Sequence, residues 1–70
     1  MEYDPERIAA FTKLCTEALK AQSEAAKGWP DPLILPEPED RHERKALDLF
    51  MDKLESATGL TVQLQFQHRN

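Results

Sequence analysis

The chain has 70 residues, of which 40% are hydrophobic and 31% charged, with a single cysteine and two glycines. This composition describes one small folded domain and excludes a disulfide framework and a largely disordered chain. A net charge of -4 and a pI near 5.0 carry the wrong sign for a general nucleic-acid binder or a binder of anionic membranes.

The first element is a helix over about residues 5–27. Asp4 stands at the N-cap and Pro5 at the first helical position, where a missing N–H costs nothing. Tyr3 and Ile8 occupy the two positions of a hydrophobic staple. Ile8, Phe11, Leu14, Cys15, Ala18, Leu19, Ala25 and Ala26 recur at three- and four-residue spacing, which gives the helix one apolar face. Gly28 follows as the expected left-handed residue that ends it.

Residues 28–40 read as a proline-rich crossover. Four of the five prolines fall here and hold the chain extended. Leu33-Ile34-Leu35 sits between Pro32 and Pro36, and three large apolar residues in a row are expected to dock against the helices. Trp29 is expected to cover an end of the core, since so small a core needs large residues. Flanked by Pro30, it also has the character of a rigid interface anchor.

A second helix is expected over about 41–58. Asp40 and Glu43 have the N-cap and N3 spacing of a capping box. Leu47, Phe50, Met51, Leu54 and Ala57 form its apolar stripe, widened by Ala46 and Leu49. Gly59 ends it, and Leu60 is placed to pack back on Leu54.

Residues 60–68 read as a β-strand. Leu60, Val62, Leu64 and Phe66 alternate with Thr61, Gln63, Gln65 and Gln67, the period of a half-buried strand. Burying the four apolar side chains would contribute roughly 1.5–3 kcal/mol each, so this face needs a cover. A lone strand also leaves two unpaired edges. Three partners are open: the Leu33–Leu35 segment, a second copy about a two-fold axis, or the sheet edge of another protein. The two-fold homodimer is preferred, with Leu60, Val62, Leu64 and Phe66 at its interface and His68, Arg69 and Asn70 as its polar end.

The residues of chemistry are few. Cys15, His42 and His68 lack the spacing of a zinc site, and Cys15 on the apolar stripe reads as a small buried hydrophobe. No metal, no cofactor and no catalytic acid–base pair is expected, and the chain is read as non-enzymatic. Trp29, Asp31, Glu37, Glu39 and Asp40 are the candidate partner-binding residues. The acids among them also suit the positive end of a helix dipole. The Arg41–Lys45 run is surrounded by acids and has no aromatic platform beside it in sequence, so direct nucleic-acid contact is disfavoured.

The sequence therefore predicts a small α+β domain: helix, extended crossover, helix and a C-terminal strand paired across a homodimer. No signal peptide or membrane-spanning run is read, so a cytoplasmic location is expected. The expected function is a protein-interaction module that binds and modulates a larger protein, by analogy of size and charge with inhibitors and phage-encoded host modulators. One alternative is an assembly subunit that completes a larger complex by strand addition. Another is an acidic mimic of nucleic acid.

Overall fold

The computed structural model describes residues 2–68. Two helices and two strands alternate along it: α1 (Pro5–Ala26), β1 (Leu33–Pro36), α2 (Arg41–Thr58) and β2 (Leu64–Gln67). The strands pair with each other in parallel, so β1, α2 and β2 form a strand–helix–strand crossover with α1 packed against it. The molecule is a flat slab of 39 × 29 × 16 Å.

The helix starts follow their local chemistry. The Asp4 carboxylate accepts the Glu6 N–H at 3.0 Å, and the Asp40 carboxylate accepts the Glu43 N–H at 2.9 Å. The return bond of the second cap lands one residue early, with Glu39 N–H donating to Glu43 Oε1 at 2.9 Å. Tyr3 does more than the staple requires. Its ring meets His42 edge-on at 5.8 Å and lies beneath the Arg41 guanidinium at 5.3 Å, which ties the chain before α1 to the first turn of α2.

The helix ends differ from each other. Gly59 takes the left-handed conformation at φ 70°, where glycine carries no Cβ penalty, and its N–H donates to Glu55 O. At the end of α1 that conformation falls on Lys27, at φ 55°, and not on Gly28. The N–H groups of Lys27 and Gly28 both reach Ser23 O there. Turning one residue early satisfies that carbonyl twice, at the steric cost a side chain meets in this region.

The core is small. Phe11, Cys15, Leu33, Leu35 and Ala46 are at most 1% exposed, and Leu47 and Val62 are also buried. Ile8, Ala18, Leu19, Phe50, Met51, Leu54 and Leu64 pack around them. Burial thus concentrates where β1 crosses the middle of α1 and the first half of α2. Leu14 and Leu49 belong to the helical stripes by spacing, yet both stay about half exposed because two helices and a two-stranded ribbon cannot wrap so wide a stripe. Burial of the Cys15 thiol, reinforced by the Glu43 carboxylate, pushes its pKa up to about 11.

Two expectations about the crossover change. Leu33-Ile34-Leu35 docks as expected, but as a strand: Leu33 and Leu35 point inward while Ile34 is 39% exposed. Trp29 does not close the core, for it remains 39% exposed while the neighbouring Pro30 is buried. The Asp31–Pro32 peptide that follows is cis.

The C-terminal strand is shorter than its alternation suggests. Among the described residues only Leu64–Gln67 pairs, opposite Leu33–Pro36. Ahead of it the chain is held otherwise: Val62 N–H donates to Glu55 Oε2 at 3.1 Å, and the Val62 side chain enters the core. Leu60 is 55% exposed rather than packed away. Arg69 and Asn70 lie outside the described residues.

Candidate functional site

The register of the ribbon assigns a direction to every main-chain group. Leu33 pairs with Leu64, Ile34 with Gln65, Leu35 with Phe66 and Pro36 with Gln67. Leu33 N–H donates to Gln63 O at 2.9 Å, and Glu37 N–H donates to Gln67 O at 3.1 Å. The odd-numbered residues of both strands therefore turn their polar groups toward each other. By the alternation of a ladder, the N–H and C=O of Leu64 and Phe66 point to the opposite, outer side of β2.

The outer side of β1 is closed. Ile34 turns its N–H and C=O away from β2, and the Gln22 side chain from α1 meets both. Its Oε1 accepts the Ile34 N–H at 2.9 Å, and its Nε2 donates to Ile34 O at 2.5 Å. A primary amide has the same donor and acceptor pair as a peptide group, so Gln22 serves as a one-residue third strand. Among the described residues no side chain corresponds to it at β2, which ends the two-stranded order.

Two hollows flank that open edge. On the helix face a groove of ≈ 450 Å³ runs between α2 and β2, with Leu47, Met51, Leu64 and Phe66 among its walls and Glu37, Arg44 and Asp48 at its mouth. On the outer face a hollow of ≈ 430 Å³ is lined by Gln22, Ile34, Gln65, Phe66 and Gln67. Phe66 belongs to both and is 46% exposed, so its ring stands at the rim between them.

The four candidate strand residues thus separate. Val62 is buried and Leu64 half-buried, whereas Leu60 and Phe66 are exposed. The five candidate partner-binding residues separate too, because β1 lies between them. Trp29 and Asp31 precede it, while Glu37, Glu39 and Asp40 follow it. Each of the last three has a structural engagement. Glu37 pairs with His68 Nδ1 at 3.3 Å, Glu39 donates its N–H to Glu43, and Asp40 caps α2 while pairing with Arg7. The Glu43 backbone N–H, aided by the Arg7 guanidinium, holds the Asp40 carboxyl below its usual range.

Sequence reasoning missed two contributors. Gln22 had no signal, since a glutamine in a helix middle reads as solvated surface. Tyr3 supplies the aromatic neighbour that the Arg41–Lys45 run lacks in sequence, with Lys45 Nζ 5.8 Å from the ring centre. Among the described residues no three His, Cys, Asp or Glu side chains are placed to hold a metal, and no helix is long and apolar enough to cross a membrane. Comparison with family models, curated proteins and solved structures finds no match to the chain.

Proposed function

We propose that this chain is a non-enzymatic protein-interaction module that binds and modulates a larger protein, by inhibition in the simplest case. Its docking element on this reading is the outer edge of β2, which accepts an extended segment of the partner as a further strand. The observation that supports it most is the unequal treatment of the two edges. The chain commits a side chain to closing β1 at Ile34, and no described residue does the same at β2. Main-chain pairing at Leu64 and Phe66 supplies affinity, and the helix-side groove selects an apolar partner side chain.

A homodimer through the same edge is the second reading. Residues 59–67 contain no charged side chain, so two copies meet there without like-charge repulsion despite the net charge of each.

The test uses Phe66→Pro. Proline at 66 removes an N–H that points outward and spares the ladder to β1, so the fold survives while the edge is blocked. A photoreactive residue at Gln67 should crosslink a discrete larger protein in cell lysate, and Phe66→Pro should abolish the adduct. An adduct of equal yield in both proteins, or none in either, would overturn the assignment of this edge to a partner.

A further inference from the structure

We infer that the β2 edge is held by a second copy of the chain whenever no larger partner occupies it, with the two β2 strands antiparallel about a two-fold axis at Gln65. The inference rests on the edge being the docking element and adds how that same site is regulated.

Geometry restricts the register first. A hydrogen-bonded pair in an antiparallel ladder needs both residues to turn their polar groups toward each other. On the outer side of β2 those residues are Leu64 and Phe66, so even-numbered residues must face even-numbered ones. An axis midway between Gln65 and Phe66 would set Leu64 against Gln67 and is forbidden. An axis at Phe66 would set Leu64 against His68, a polar residue on the apolar row, and an axis at Leu64 would set Phe66 against Val62, which is buried with its N–H bonded to Glu55. An axis at Gln65 sets Leu64 against the partner's Phe66 twice, with Gln65 opposite the partner's Gln65 and Gln63 opposite the partner's Gln67.

Side-chain chemistry agrees with that register. Directly paired residues share a face of the sheet, so Leu64 and the partner's Phe66 lie together on the helix side. There the partner's ring lies beside Leu64 over the groove walled by Leu47, Met51 and Phe66, which a single chain leaves open. On the other face the glutamines of the two strands adjoin, and their amides can donate and accept in a row. β2 is thus the alternation of apolar and amide side chains that its own edge calls for. The groove is completed by a residue of the second copy.

Charge and size set the strength. The absence of charge over residues 59–67 removes electrostatic opposition at the contact. A four-residue strand pair with one ring in each groove buries less than the roughly 1,200 Å² at which standard interfaces begin. The dimer therefore exchanges with monomer on dilution, and a larger partner competes for an edge that is covered but not locked. Self-pairing keeps an uncharged edge from uncontrolled association, as edge strands otherwise need charges, prolines or a cover.

Two measurements test this. Sedimentation equilibrium from millimolar to submicromolar protein should give a monomer–dimer transition for the wild type. Phe66→Pro should stay monomeric with an unchanged far-ultraviolet spectrum and a cooperative melt. For register, single cysteines are placed at Gln65 or Gln67 in a Cys15→Ser background. Opposed Gln65 residues form a non-hydrogen-bonded pair with Cα atoms ~4.5 Å apart, within disulfide reach. Gln65→Cys should form a disulfide dimer on mild oxidation, and Gln67→Cys should not. A wild type that is monomeric at every concentration overturns the inference while leaving partner docking to its own crosslinking test. Equal crosslinking at both positions, or a dimer that survives Phe66→Pro, overturns it too. A dimer with the expected crosslink beside a Gln67 adduct that ignores Phe66→Pro sustains the dimer and removes the larger partner from this edge.

Discussion

The two edges of the ribbon are built from similar material and finished in opposite ways. β1 is LILP and β2 is LQFQ, each four residues long. The first is pressed between α1 and β2, with the outer polar groups of Ile34 met by Gln22. The second presents its outer polar groups and a half-exposed phenylalanine to the surroundings and walls the groove beside α2. Hydrophobic content alone does not produce this difference, since the core-facing row is Leu33 and Leu35 in one strand and Leu64 and Phe66 in the other. What differs is whether a neighbouring element carries an amide at the right height. Closing Ile34 takes one side chain, and among the described residues none does the same at β2.

The contrast is largest in the core row. Leu35 and Phe66 are direct partners across the ribbon, yet Leu35 is 0% exposed and Phe66 46%. Leu35→Ala should destabilise the fold by about 2–5 kcal/mol, through lost transfer energy and a cavity that two helices cannot collapse into. A chain of this size has only about 3–10 kcal/mol in total, so the variant should be largely unfolded at moderate temperature. Phe66→Ala should cost about 1 kcal/mol or less by the same urea titration, performed at concentrations where the chain is monomeric. Comparable losses in the two variants would mean that the edges are not finished differently.

Proline scanning separates the directions of the main chain. Gln65→Pro removes an N–H directed at β1 and leaves Leu33 O without its strand partner, for an expected loss of about 1–3 kcal/mol. Phe66→Pro removes an N–H directed outward and should melt closer to the wild type, with the difference read by thermal unfolding followed by circular dichroism. If the position-66 variant were the less stable, the assignment of Leu64 and Phe66 to the outer edge would be wrong.

The comparison also explains what the sequence made legible. Helix starts and the end of α2 are local: Asp4-Pro5, Asp40 with Glu43, and Gly59 each act within one turn of themselves. The strand at the C-terminus is legible as alternation, but its length is not. That length depends on a partner thirty-one residues away in register and on Glu55, which holds the Val62 N–H ahead of the strand. Exposure of Leu60 and Phe66 follows from the same long-range assembly, and so does the separation of Trp29 from Glu37, Glu39 and Asp40. The closure by Gln22 leaves no trace in local pattern at all, because it depends on where a helix side chain meets a strand twelve residues later.

That closure can be removed with the smallest effect on the fold and a sharp effect on the edge. Gln22→Ala deletes both bonds to Ile34, which is partly exposed and can exchange them for water. Net hydrogen bonds of this kind contribute about 0.5–1.5 kcal/mol, and hydration should put the pair near the low end. Stability is thus a blunt readout, and amide exchange is the better one. The Ile34 N–H should lose protection in the variant while Leu35 N–H, bonded within the ribbon, keeps it. Helix α1 still lies along that side of β1, so the size distribution on dynamic light scattering should stay that of the wild type. Gln22→Glu gives the opposite control: it keeps an acceptor for Ile34 N–H, loses the donor to Ile34 O, and adds a charge that discourages a foreign strand. If Gln22→Ala left the exchange of Ile34 unchanged, the amide would not be what closes β1 there, and the inequality of the two edges would need another cause.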